Sequence, residues 1–387
     1  MEAYLDNAAT TPVFPEVVEI MGKVMEEDFG NPSSRHTKGI VAEQYIKEAA
    51  EIIAGALKCQ PKEIIFTSGG TESNNMALIG TALANQRAGK HIITTRIEHA
   101  SVHEPLAYLE EMGYEVTYLP VDSTGRVSAE TVRQALREDT VLVSVIYVNN
   151  EIGSVEPVAS IGEMLHREKP DVLFHVDAIQ AFGKYKIAPK RLGIDLMSVS
   201  GHKIHAPKGT GFLFVSDGVK IRPILFGGGQ QKGMRSGTEN VPGIAGLGVA
   251  VKNIYHNHTE KVEKLYQLKK MLAEGLSQYD GVTIHGMDGI SPEETAPHIV
   301  SVSFESVKSE VMLHALAQEG VFVSSGSACS SNHPELSGTL QAIGVREDLL
   351  DATLRFSFSV MTTKEQVCHA VEAVGKVLPV LRRFTRH

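Results

Sequence analysis

Between about residues 62 and 216 of this chain, short apolar runs alternate with stretches of helical period. Glu63–Thr67, His91–Thr95, Glu115–Leu119, Val141–Val148, Val172–Val176, Leu196–Val199 and Gly211–Val215 read as strands. Helical spacing falls between several of them, over Thr71–Gln86, Val102–Met112 and Ala159–Arg167. This alternation predicts βαβ units, hence an α/β fold with a mostly parallel seven-stranded sheet and helices on both faces. One edge hairpin around Gly209–Gly211 is expected to run antiparallel. Beyond Val241 one long helical stretch to Gln278 leads into a second block. It reads as strand Pro297–Phe304, helix Ser309–Glu319, short strand Val321–Val323, strand Thr353–Ser359 and last helix Lys364–Arg383. That pattern predicts a small α+β domain. The expected division is 1–14 as a segment packing with the small domain, 15–255 as the large domain, and 256–387 as the small one.

Composition narrows the classes. The 387 residues are 42% apolar and 21% charged, ordinary for a chain that buries a large core. A net charge of −9 without a basic run argues against nucleic acid as a partner. No apolar stretch of about 18 residues is present, so no membrane span is expected. Met1–Asp6 lacks a charged-then-apolar leader, which by elimination predicts a cytoplasmic location. The three cysteines, Cys59, Cys329 and Cys368, are too few and too odd for a disulfide framework and fit a reducing compartment. Cys368, spaced with Val367, Val371 and Val374, is expected in the core, and Cys59 is expected to be structural. With no C-x-x-C pair, a protein-only zinc or iron–sulfur site is not expected.

Two segments change that picture. From Ser324 to Asn332, Cys329 has only small or polar neighbours, so nothing anchors the segment by burial. It reads either as a thiol on a mobile loop or as an ordinary small-residue turn. Lys203, in Ser198-Val199-Ser200-Gly201-His202-Lys203, lies just past a strand, where ligand chemistry gathers in open α/β sheets. A lysine there can form a Schiff base with pyridoxal phosphate (PLP), although a single lysine after a strand is usually just solvated. Its partners fall at other strand ends. Gly69-Gly70-Thr71 opens a helix after a strand and suits a phosphate, or serves as a turn with Thr71 as cap. Asp177 ends a strand and would pair with the protonated pyridine nitrogen, with Gln180 in reach of the ring oxygen. Asn150 ends another strand, and His99, at a strand-to-helix junction, could lie flat on the ring. Each alone is also a capped helix start or a satisfied loop residue; the specificity comes from their convergence on one sheet.

The chain resembles the class V aminotransferase-like PLP enzymes and, within them, the NifS/IscS group of cysteine desulfurases. The resemblance runs from Tyr4-Leu5-Asp6-Asn7-Ala8-Ala9-Thr10-Thr11-Pro12 through Phe29–Ser34, Val148–Gly153 and Met234–Asn240 to Arg355-Phe356-Ser357. The Ser-Gly-His-Lys and Ser-Ser-Gly-Ser-Ala-Cys segments are its most diagnostic pair. It implies a fold-type-I homodimer with each active site at the subunit interface. Lys203 would carry PLP, His99 would stack on the ring, Asp177 would pair with the ring nitrogen, and Gln180 and Asn150 would meet the ring oxygen or substrate side. Gly70 would belong to the phosphate loop. Thr71, Ser200 and His202 would bind the phosphate, with Thr238 supplied by the partner chain. Arg355, assisted by Asn31, would receive the α-carboxylate of L-cysteine as a bidentate pair. Lys203 would move the α-proton, and Cys329 thiolate would take the sulfur as a persulfide, releasing L-alanine. The sulfur would then pass to an acceptor protein, an iron–sulfur scaffold or a thiolation enzyme.

Two departures bear on the acceptor rather than the chemistry. His333-Pro334-Glu335-Leu336-Ser337 replaces the usual Ser-Leu-Glu-Pro-Ser after the cysteine, and the chain stops at His387, short of many relatives. His205–Gly209 is closer to the nitrogen-fixation branch. The competing readings are a plain aminotransferase or lyase, a selenocysteine lyase, and a non-catalytic scaffold.

Overall fold

Residues Ala3–Tyr4 form a short strand, β1, and the next seven strands build the central sheet. These are β2 (Ile64–Thr67), β3 (His91–Thr95), β4 (Glu115–Leu119), β5 (Thr140–Ile146), β6 (Leu173–Asp177), β7 (Leu196–Ser200) and β8 (Gly211–Val215). The structure, a computed structural model, describes residues 1–287, 289–325 and 336–384. The strand order is β2-β8-β7-β6-β5-β3-β4. Strands β3 to β7 pair in parallel, as runs covered on both faces do; β5 is buried along its whole length. The hairpin expected at an edge is antiparallel, but β8 is interior, because β2 pairs along its far side. Parallel pairing sends the carboxyl ends of β3, β5, β6 and β7 to one rim of the sheet. Strand β2, antiparallel to β8, delivers its own carboxyl end there as well.

A second sheet is antiparallel, in the order β12-β13-β10-β9, with β9 at Val282–His285, β10 at Ile299–Phe304, β12 at Ser324–Ser325 and β13 at Thr353–Ser357. The short β11 (Val321–Phe322) pairs in parallel with β1. Helices Ser309–Gln318, Lys364–Phe384 and His258–Ser277 close its core around Leu268, Leu272, Phe304, Leu354 and Phe356. A separate core under the central sheet contains Phe174, Phe182, Phe212 and Leu247. The N-terminal residues serve both cores, Ala3 and Leu5 packing into the second, Ala8 and Phe14 into the first. Residues 5–11 therefore form a strap between the two sheets. Ser357 N–H donates to Leu5 O at 2.6 Å, and the Thr11 hydroxyl donates to His202 O at 2.9 Å.

Three expectations need correction. The stretch from Val241 to Gln278 is two helices, Val241–Tyr255 and His258–Ser277, broken where Asn257 turns left-handed at φ 50°. Asparagine tolerates that conformation, and the stacked rings of Tyr255 and His258 brace the corner. Strand β9 was not expected: only one of its four residues is buried, so its apolar signal is weak. Cys368 is exposed, because the buried stripe of the last helix runs through Val367, Ala370 and Val374. Cys59 is half-buried, and burial, chiefly, pushes its thiol up to about 11. Among the described residues no helix is long and apolar enough to cross a membrane.

Candidate active site

Strand β2 ends at Thr67, whose hydroxyl lies 2.8 Å from that of Ser73. Gly69 then takes φ 150°, a conformation L side chains rarely adopt, and the helix Gly70–Asn85 begins. Its opening backbone, Gly70 and Thr71, faces a cavity of about 260 Å³ that Ser200 and His202 also line. A helix N-terminus with two hydroxyl side chains and an imidazole is a set of donors suited to a phosphate. Glu72 would oppose an anion, but it accepts from Ser68 N–H at 2.7 Å and from Arg235 Nε at 2.8 Å. Burial, the largest influence, raises its carboxyl pKa, and these hydrogen bonds more than reverse it. A Cβ added at Gly70 would lie 2.2 Å from Ile179 Cδ1. Ile179 lines the same cavity, and its flexible tip would have to swing. Gly70→Ala is therefore expected to change stability by less than about 1.5 kcal/mol, while cofactor affinity falls about tenfold. Thermal melting and a fluorescence titration check the pair of values.

Lys203 follows β7 in a tight turn, Gly201–Lys203, and its Nζ donates to Ala8 O at 2.5 Å and Ala9 O at 2.7 Å. Behind it, buried Lys184 donates from Nζ to Lys203 O at 2.8 Å. Burial, first, and Lys203, second, bring the Lys184 ammonium down to about 7. His202 Nδ1 sits 3.2 Å from the Thr10 hydroxyl. The strap thus grips the lysine turn from below.

Asp177, the last residue of β6, is 1% exposed. Its Oδ1 accepts from Ile179 N–H at 2.9 Å and its Oδ2 from Asn74 Nδ2 at 2.8 Å. Burial is the largest influence and holds its carboxyl above the ordinary value. His99 caps the helix Ala100–Glu111, its Nδ1 accepting from Ser101 N–H at 3.1 Å. The Ser101 hydroxyl, which accepts from Asn74 Nδ2 at 2.9 Å, lies 2.9 Å from the same Nδ1 and donates to it. Nδ1 is therefore an acceptor, and the single proton of a neutral ring sits on Nε2. Burial, first, keeps the imidazole below its ordinary pKa, with Lys203 and Arg355 adding to the effect and Asp177 opposing it.

Gln180 donates from Nε2 to Ala8 O at 3.0 Å, and its Oε1 lies 3.2 Å from His298 Nε2. Burial pushes His298 well below its ordinary pKa, so the ring is neutral and its Nε2–H is the donor that fixes the amide. Of the Asn149-Asn150-Glu151 run, Asn149 folds the turn by accepting from Glu151 and Ile152 N–H, and only Asn150 lines the cavity. Arg355, central in β13 and 4% exposed, donates from Nη1 to Asn150 O at 2.8 Å and from Nη2 to Asp6 Oδ1 at 3.1 Å. Its Nε, buried, has no partner among the described residues.

One cavity thus collects Gly70, Thr71, His99, Asn150, Asp177, Gln180, Ser200, His202, Lys203 and Arg355. Asn31 is exposed, its Oδ1 taken by Ser33 N–H at 2.9 Å, and does not reach it. Thr238, expected from a partner chain, is exposed and outside this cavity. Cys329 lies outside the described residues. Sequence reasoning missed Asn74, Ser101 and His298, since none sits in a motif of its own and each acts through a neighbour. A larger open groove, about 850 Å³ beside β2 and β8, holds none of the candidates.

The donor set fits PLP. The cavity offers a helix N-terminus with hydroxyl donors that would suit a phosphate, a buried carboxylate that would suit a cationic ring nitrogen, and an amine and an imidazole beside them. A parallel sheet with such a site at its carboxyl rim, joined to a smaller antiparallel domain, defines a fold-type-I α/β enzyme. The sequence model of the class V aminotransferases matches residues 3–369, and the chain belongs to that family of PLP-dependent enzymes. It is 44% identical over 382 residues to the cysteine desulfurase IscS of Methanosarcina thermophila, covering 99% of this chain and 93% of the relative. It is 42% identical over 385 residues to the cysteine desulfurase IscS of Dictyoglomus turgidum, covering 99% and 96%. A solved NifS-like protein superposes with a TM-score of 0.92 at 36% identity, over 98% of this chain and 100% of that one. The resemblance read from the motifs thus extends over the whole fold.

Proposed function

We propose that the protein is a PLP-dependent cysteine desulfurase, acting as a homodimer on L-cysteine. The observation that carries this is the single cavity in which the Lys203 amine, neutral His99, buried Asp177 and the Arg355 guanidinium face one another. Full-length likeness to relatives named cysteine desulfurases supports it, as does the Ser324–Asn332 cysteine run.

Bound PLP supplies an electron sink that acidifies the substrate Cα–H and labilises its Cβ–S bond. Gly70, Thr71, Ser200 and His202 would hold its phosphate, with Thr238 of the second subunit completing the set. Asp177 would keep the ring nitrogen protonated, and Gln180, locked by His298, would serve the ring oxygen. His99 would lie against the ring with its proton at Nε2. Arg355 takes the substrate carboxylate, and Asn31 has no part in this unless a second subunit brings it close. Lys203 would take the proton from Cα and return one there, while the proton released by the Cys329 thiol ends on Cβ. The Cys329 thiolate bonds to the substrate sulfur as the Cβ–S bond breaks with its electron pair left on carbon. L-cysteine and one thiol thereby become L-alanine and one persulfide, with no external oxidant. The span 15–255 lines most of the cavity, the strap adds Ala8 and Ala9, and 256–387 contributes Arg355. The persulfide passes to an iron–sulfur scaffold or a thiolation enzyme in the cytoplasm.

The test is sulfide and alanine release from L-cysteine with a thiol reductant, beside Cys329→Ala. Equal amounts from the parent, and none from a variant that still holds PLP, establish the route. Full activity in the variant would leave a plain lyase or transaminase.

A further inference from the structure

Arg355 is buried, and a buried guanidinium needs a counter-charge before any ligand arrives. Asp6 supplies it. Its Oδ1 lies 3.1 Å from Nη2, in the only ion pair Arg355 makes among the described residues. Nη1 is committed to Asn150 O, and Nε is buried and unpartnered. An arriving carboxylate therefore has to share with Asp6 a guanidinium whose Nη2 already serves Asp6 and whose Nη1 serves Asn150 O. The backbone that carries Asp6 is held in place. The Asp6 carbonyl accepts from the Tyr4 hydroxyl at 3.2 Å, and the adjoining Asn7 Nδ2 donates to Ser357 O at 3.0 Å. Substrate binding would thus set two carboxylates around one guanidinium.

We propose that Asp6 is the resident counter-ion of Arg355, and that substrate carboxylate binding is coupled to uptake of a proton by Asp6. This rests on the reading of Arg355 as the carboxylate receptor. Two anions sharing one cation in a partly buried site repel, and the cheapest relief is for one to take a proton from solvent. The arriving carboxylate keeps its charge against the guanidinium, so Asp6 is the one that yields. Burial, the first influence, already holds the Asp6 carboxyl above its ordinary pKa, opposed by Arg355 and Lys203. The charged and titratable groups around it are Tyr4 from β1, Arg355 from β13 and Lys203 from the turn after β7. Glu151, His99 and His298 also feel the Arg355 charge. Binding that takes up a proton strengthens as pH falls. Asp6 is then a positioning residue with two effects. It keeps the guanidinium aimed into the cavity, and it holds affinity for carboxylates below what a free buried arginine would give.

The probe is 3-mercaptopropionate, which carries the carboxylate and thiol of cysteine but no amine, titrated calorimetrically into the holoenzyme. Its affinity for the parent is expected to rise as pH falls between about 8 and 5.5, with proton uptake measured in buffers of different ionisation enthalpy. Asp6→Asn is expected to bind about tenfold more tightly at neutral pH, with the pH dependence and proton uptake gone. Asp6→Glu is expected to keep both. Arg355→Gln is expected to lose binding. If Arg355→Gln loses binding but Asp6→Asn keeps the parent's proton uptake, the inference fails and the reading of Arg355 stands. If Arg355→Gln binds like the parent, the reading itself falls. Should Asp6→Asn not fold, difference infrared spectra of the parent decide. With probe isotope-labelled at its carboxyl, a new unlabelled protonated-carboxyl band that persists in Glu151→Gln supports the proposal, since neither an imidazole nor Glu151 can then give it, and its absence overturns it.

Discussion

Lys203→Ala is expected to slow desulfuration on the order of a thousandfold or more, because on the proposed reading one side chain would both anchor the cofactor and move the substrate proton. The loss should be chemical and not structural. Among the described residues Lys203 Nζ donates to Ala8 O and Ala9 O, beside a cavity that water can enter once the ammonium is gone. The strap keeps its other ties, Leu5 and Asn7 to Ser357 and Thr11 to His202. The melting temperature should therefore fall by only a few degrees, about 1 kcal/mol for a chain of this size. Lys203→Arg separates the roles further. It keeps a cation against the two carbonyls, but a guanidinium does not give up its proton. Arginine should thus restore the melting temperature and leave both the cofactor's absorption band and turnover absent. Activity within tenfold of the parent in either variant would remove Lys203 from the chemistry.

The sheet was legible because its signal is redundant. The inner parallel strands are runs buried on both faces, edge strand β4 being the exception, and β3, β4 and β8 match their expected bounds. What escaped was set by tertiary contact. Strand β9 is half exposed and exists because β10 offers it an edge. The Asn257 break depends on one residue entering a left-handed turn, with no glycine to announce it. The same division runs through the site. Gly70, His99, Asp177 and Lys203 sit at strand ends, where topology alone brings them together. Asn74, Ser101 and His298 work at second hand, by fixing a carboxylate, an imidazole proton and an amide. Their positions follow from packing between elements far apart in the chain, and nothing local marks them. Asp6 lay inside a quoted motif, yet its partner is 349 residues away.

Asp177→Asn is expected to lower turnover about a hundredfold or more while leaving the cofactor-free protein about as stable as the parent. The substitution conserves shape and removes only charge. Asp177 now receives two hydrogen bonds, from Ile179 N–H and Asn74 Nδ2, and an amide can accept only one of them. That mismatch costs roughly 1–2 kcal/mol. Against it stands relief of a buried anion for which no ion pair occurs among the described residues, a gain of similar size. The balance has a pH signature. Burial, the largest influence, raises the folded carboxyl pKa above its unfolded value. Its contribution to stability is therefore complete below the unfolded pKa and is lost as pH rises through the folded one. The cofactor-free parent should lose stability across that window, and Asp177→Asn should not. Adding PLP should return it to the parent, because a protonated ring nitrogen is the cation this carboxylate lacks. The variant should bind the cofactor more weakly and gain less on binding. Melting curves against pH, with and without PLP, read all of this apart from turnover. If the parent and variant curves run parallel against pH without PLP, or turnover falls less than about tenfold, Asp177 is an ordinary buried acid. If they diverge with pH and PLP closes the gap for the parent alone, the buried carboxylate is matched to a cationic ring.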